Sequence, residues 1–167
     1  MDNPYQSPLE ACSPFGQSTS AGWARHVRVV AILMIVQGAL ELLAGIFLAV
    51  MACIMPMIVS SANNANRPPE DFVWVVVAMY GGFAAVAFLV AGLHIAAGVR
   101  NLRFHGRTLG IVALSCGLLS IFTCYCLPTA VLLAIYGLIV YLDKGTKEAF
   151  RLGESGCSSD QVLASFG

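Results

Sequence analysis

Charge is scarce in this chain. Nine Lys and Arg and nine Asp and Glu among 167 residues make up 11%, where soluble globular proteins carry about a quarter. The formal net charge is zero, which says little about partners because the placement of the charges matters more; nucleic acid is not an expected target. It also lacks a nucleophile-base pair, a phosphate-binding glycine loop, a dinucleotide fingerprint and a Cys-x-x-Cys pair in any polar segment, so no enzyme is expected. No metal or other cofactor is expected either: no second His or Cys lies at ligand spacing from His94 on its own helix face. Near the start there is no short apolar stretch behind positive residues, so a cleavable signal is not expected.

What the chain does have is apolar length. Hydrophobic residues make up 58% of it, and the mean hydropathy is +0.79. Because each helical residue rises about 1.5 Å, some 20 apolar residues span a hydrocarbon core of about 30 Å. Three runs meet that length: Val29–Val59, Phe72–Val99 and Leu109–Leu142. The first is trimmed by Pro56, expected where the helix leaves the bilayer. The third is long for one span and is interrupted at Leu127-Pro128-Thr129, where proline favours a turn followed by a new helix.

Charge chooses between three spans and four. With a hairpin at Pro128, Arg25, Arg28, Arg100, Arg103, Arg107, Lys144, Lys147 and Arg151 share one side and Arg67 alone lies on the other. Positive residues collect on the cytoplasmic face, and an eight-to-one split obeys that rule where five-to-four does not. The expected fold is therefore an all-α membrane protein: four transmembrane helices in a bundle, both termini cytoplasmic, in the cell (inner) membrane. Residues 1–22 read as a disordered cytoplasmic tail, and 23–143 as the transmembrane domain with spans at 27–55, 72–99, 107–125 and 128–142. Residues 144–167 read as a cytoplasmic tail whose first part lies along the membrane surface.

The opening Asn3-Pro4-Tyr5-Gln6-Ser7-Pro8 and the closing Ile135-Tyr136-Gly137-Leu138-Ile139-Val140-Tyr141-Leu142, followed by Lys147-Glu148-Ala149-Phe150, carry a resemblance. The chain resembles a group of small uncharacterised bacterial four-span membrane proteins that begin with an Asn-Pro-Tyr-x-Ser-Pro motif. The resemblance implies a bacterial membrane protein and no catalytic residue.

Polar groups inside the spans are the candidate site. On the first helix Gln37 and Glu41 lie four residues apart, with Gly45 and Ala52 on the same face and Leu40, Leu43 and Phe47 elsewhere. The second repeats the design with Ala84, Ala87, Ala91, His94 and Gly98; the third adds Ala113 and Gly117. Small residues let membrane helices approach closely, so these faces describe a bundle core. Glu41 is the sole acid within the first three spans, expensive there and a functional candidate by default. Thirteen residues separate it from Arg28 and six separate His94 from Arg100, which at equal arginine depth sets the two about 10 Å apart. By the same count Ser120, thirteen residues from Arg107, lies nearer the level of Glu41, and Gln37 nearer that of His94.

Three further readings follow. Trp23, Trp74, Tyr125 and Tyr141 suit interfacial aromatic belts. Cys12 and Cys157 should be reduced in cytoplasmic tails, while Cys53, Cys124 and Cys126 near the outer surface have a possible disulfide among them. Arg100, Arg103 and Arg107 are candidates for lipid head-group contact. The expected partners are the lipid bilayer and either the chain itself or another membrane protein. A structural or interaction role through small-residue helix faces leads. The alternatives are a small transporter or ion-conducting oligomer using Glu41, and a thiol redox protein of the outer face.

Overall fold

The computed structural model describes residues 21–61, 68–119 and 127–165. Among these the chain is helical: α1 (Ala21–Ser61), α2 (Glu70–Leu102), α3 (Arg107–Leu119), α4 (Leu127–Leu142), α5 (Lys144–Glu154) and α6 (Ser159–Ser165). At about 1.5 Å per residue, the 41 residues of α1 and 33 of α2 run about 60 and 50 Å, longer than a hydrocarbon core. Both are long and apolar enough to cross a membrane. Among the described residues there are two such helices, or three if α4 and α5, bent by 74° at their junction, count as one broken span; α3 is apolar but shorter.

Pro56 does not end α1. The helix continues to Ser61, and the Ser60 and Ser61 hydroxyls donate to the Met57 carbonyl at 2.8 and 2.9 Å, giving an acceptor of the last turn its partners. Pro128 falls in the first turn of α4, where its missing N–H is no loss.

α1 and α2 form a long antiparallel hairpin held by small residues. A methyl on Gly98 would sit 2.8 Å from the Ala31 carbonyl oxygen, and one on Gly38 would sit 3.0 Å from that of Ala91. Backbones this close leave room only for glycine, as expected for packing in lipid, where interhelical van der Waals contact replaces the hydrophobic drive. The small-and-polar face of α1 is buried at Gln37, Glu41 and Gly45, while Leu40, Leu43 and Phe47 point outward. On α2, Ala84, Ala91, His94 and Gly98 are buried and Leu89 is 75% exposed. α3 and α4 pack against the part of this hairpin nearest Arg28 and Arg100; on α4, Gly137 meets Leu114 of α3 and Val30 of α1.

The segment after α4 is more than a surface tail. Asp143 caps α5, its carboxylate accepting from the Gly145 and Thr146 N–H groups at 2.8 and 3.3 Å. α5 buries Gly145, Thr146, Ala149, Phe150 and Gly153 and exposes Lys144, Lys147, Glu148, Arg151 and Glu154. Phe150 packs between Phe104 and Tyr141, with ring centroids 5.9 and 5.8 Å away. α6 buries Val162, and its Asp160 meets Arg28 of α1 at 2.7 Å. The end of the expected tail is helical too: Ser158 precedes α6, and its hydroxyl accepts from the Gln161 N–H at 3.3 Å. Cys157 is disulfide-bonded, contrary to the expected reduced thiol.

Candidate functional site: a polar clasp between the first two helices

Gln37 and Glu41 share one face of α1 because four residues make just over one turn. The Gln37 Nε2 donates to Glu41 Oε1 at 3.2 Å, and His94 Nδ1 lies 2.8 Å from Glu41 Oε2. All three are buried, with exposures of 3%, 4% and 2%. Space for the imidazole is made on two sides by glycine: a methyl on Gly117 of α3 would lie 2.7 Å from His94 Cε1, and one on Gly38 would lie 3.1 Å from His94 Cβ. The 2.8 Å contact gives His94 Nδ1 and Glu41 Oε2 each a hydrogen-bond partner in a buried site.

His94, and not a residue of α3, is therefore what Glu41 meets among the described residues; Ser120 lies outside them. The depth argument fails in its reference points. Gly98 packs opposite Ala31 and Ile35, and Gly38 opposite Ala91 and Ile95, so Arg100 is level with about residue 31 and not with Arg28. The axial offset between Glu41 and His94 shrinks to about 5 Å. The Cα–Cβ bonds tilt toward each helix's N-terminus, which in an antiparallel pair leans Glu41 and His94 toward each other and closes the rest.

A second buried network lies nearer the arginine end. Asn101 Nδ2 donates to the Tyr141 hydroxyl at 2.7 Å, and that hydroxyl donates to Met34 Sδ at 3.6 Å, joining α2, α4 and α1. Arg107 Nε donates to the Tyr141 carbonyl at 2.8 Å, tying α3 to the end of α4. Tyr141 is fully buried and so is not an interfacial anchor. Trp23 and Trp74 are exposed at opposite ends of the hairpin; Tyr125 is outside the described residues. Asn101 escaped the sequence reading although it continues the 94, 98, 101 face of α2, the signal that would have found it.

The remaining candidates are dispersed. Cys53 is an exposed free thiol on α1, so the possible bridge from it is not formed, and Cys124 and Cys126 lie outside the described residues. Arg100 and Arg103 are exposed, and Arg107 is half-buried. A cavity of about 380 Å³ between α1 and α4, walled by Leu33, Val36, Leu40, Leu132 and Leu133, reaches Gln37. Among the described residues no three His, Cys, Asp or Glu side chains gather as a metal site. No protein-family model, curated protein or solved structure matches the chain. The clasp can hold helices in register through hydrogen bonds between buried side chains; it offers no nucleophile.

Proposed function

We propose that this is a four-span protein of the cell membrane with both termini in the cytoplasm and a structural or interaction role. α3 and α4 serve as the two short spans, 13 and 16 residues that reach about 20 and 24 Å, and tilt or local thinning takes up the difference from about 30 Å. The eight-to-one charge split supports the orientation. So do the contacts Arg28–Asp160, Phe104–Phe150 and Arg107–Tyr141, which gather the eight cations at one end of the bundle.

The observation that carries the role is that four buried polar side chains are bonded across helices, Gln37 and Glu41 with His94, and Asn101 with Tyr141, whose hydroxyl reaches Met34. Polar side chains arranged in this way hold membrane helices together. Cross-linking in native membranes, followed by sizing of the solubilised complex, tests the interaction part. Recovery with itself or with another integral membrane protein is expected, and a lone monomer with no membrane partner contradicts the reading.

A second reading, a small proton-coupled transporter, is favoured by one observation: the cavity between α1 and α4 reaches Gln37, which is bonded to an ionisable pair. Proton flux into liposomes decides it. Equal curves for wild type and Glu41→Gln remove this reading, and loss of flux in the variant establishes it over the first.

A further inference from the structure

The turn between α2 and α3 is built more tightly than its length requires. α2 ends at Leu102; the N–H groups of Arg103 and His105 both donate to the Arg100 carbonyl at 3.1 Å, and that of Phe104 to the Asn101 carbonyl at 3.0 Å. This arrangement ordinarily places glycine in the left-handed position. Here that position holds Phe104, at φ 54°, a conformation that side chains other than Gly, Asn and Asp rarely adopt. Its ring is fully buried against Phe150, and Gly153 of α5 fits so closely that a methyl there would lie 2.5 Å from the Phe104 carbonyl oxygen. The buried ring fixes a turn on which Arg103 and His105 flank Phe104 and are exposed, with Arg100, exposed too, one turn earlier.

The surroundings are cationic and largely unpaired. Among the described residues, eight Lys and Arg share this end of the bundle with four acids, Asp143, Glu148, Glu154 and Asp160. Asp143 caps α5, and Asp160 pairs with Arg28. Among the described residues neither Arg100 nor Arg103 has an acid within ion-pair distance, and both are exposed. An anchored turn carrying two free guanidiniums at the end of a membrane-crossing helix matches a phosphate that sits at that depth, because guanidinium presents a donor fork to phosphate oxygens.

We propose that the Arg100–Arg103 turn is a head-group clamp for an anionic phospholipid of the cytoplasmic leaflet. The proposal rests on the membrane-spanning orientation given above and assigns the turn a ligand, which an orienting charge does not need. Each arginine near the surface contributes about a fivefold preference for anionic over neutral lipid.

The test uses the full chain in phosphatidylcholine nanodiscs titrated with phosphatidylglycerol, reading the first anionic lipid bound by native mass spectrometry. Arg100→Gln with Arg103→Gln is expected to weaken that first binding about 25-fold. The charge-matched pair Lys144→Gln with Lys147→Gln is expected to change it by no more than about twofold, since those side chains lie on α5 outside the turn. Equal losses in the two pairs, or no loss in the first, overturn the clamp. Displacement of the lipid by inorganic phosphate at matching concentration overturns it in favour of a free-anion site. If the double variant fails to fold, Arg103→Gln alone gives the same reading at about fivefold.

Discussion

Replacing His94 with alanine removes the base that faces Glu41 Oε2 at 2.8 Å and empties the slot between Gly38 and Gly117. Two magnitudes compete. Breaking a buried pair in a water-soluble protein costs about 3–5 kcal/mol, because one charge is left uncompensated. In a membrane bundle, coupling between polar side chains averages about 0.6 kcal/mol and reaches about 1.7, because the unfolded helices also find partners. Glu41 retains the Gln37 amide and can keep its proton, so it need not remain a bare charge. The second scale therefore governs the pairing, and loss of the packed ring adds to the single-variant effect. We expect His94→Ala to cost about 2–4 kcal/mol in all, and Glu41→Gln, which preserves shape and one hydrogen bond, about 1 kcal/mol. The assay is reversible unfolding in bicelles of the two single variants and the double variant. A coupling energy of about 0.6–1.7 kcal/mol is expected from the cycle. A coupling under about 0.3 kcal/mol would refute the clasp, since side chains that hold two helices in register cannot be energetically independent.

Gly117→Ala should destabilise by about 1–3 kcal/mol, because its methyl would fall 2.7 Å from His94 Cε1 and displace the ring from Glu41. In the His94→Ala background the same change should be nearly neutral, and the pair of unfolding curves checks this. Tyr141→Phe should cost about 1–2 kcal/mol by leaving the Asn101 amide without its acceptor in a buried site, read in the same bicelle titration. Gly153→Ala should loosen α5 from the bundle, because its methyl would strike the Phe104 carbonyl; faster amide exchange confined to α5 and α6 is the readout, and unchanged protection there would contradict the packed base.

The buried faces of α1 and α2 were legible because a 3.6-residue period separates Gln37, Glu41 and Gly45 from Leu40, Leu43 and Phe47 whatever lies beyond them. Pairing across the hairpin was not. Sequence depth has to be measured from some landmark, and the arginines that served are offset by about three residues, because the glycine contacts and not the charges set the register. Tyr141 was misplaced for a related reason: an aromatic near a membrane helix end is an anchor by default, and only the position of Asn101 turns it inward. The helical base was illegible because α5 buries mostly small residues, Gly145, Ala149 and Gly153, around the single large ring of Phe150. A face so weakly apolar becomes a core only once the Phe104 turn and Tyr141 are brought beneath it.

Everything assigned to the two ends of the bundle depends on how many times the chain crosses the membrane and in which direction. Paired fusions after Gly167, one to a reporter that works only in the cytoplasm and one to a reporter that works only outside it, measure this directly. Four spans with the arginine end inward predict activity from the cytoplasmic reporter alone. Activity from the outer reporter instead would contradict the span count or the orientation, and with it the placement of Arg100 and Arg103 at the cytoplasmic leaflet.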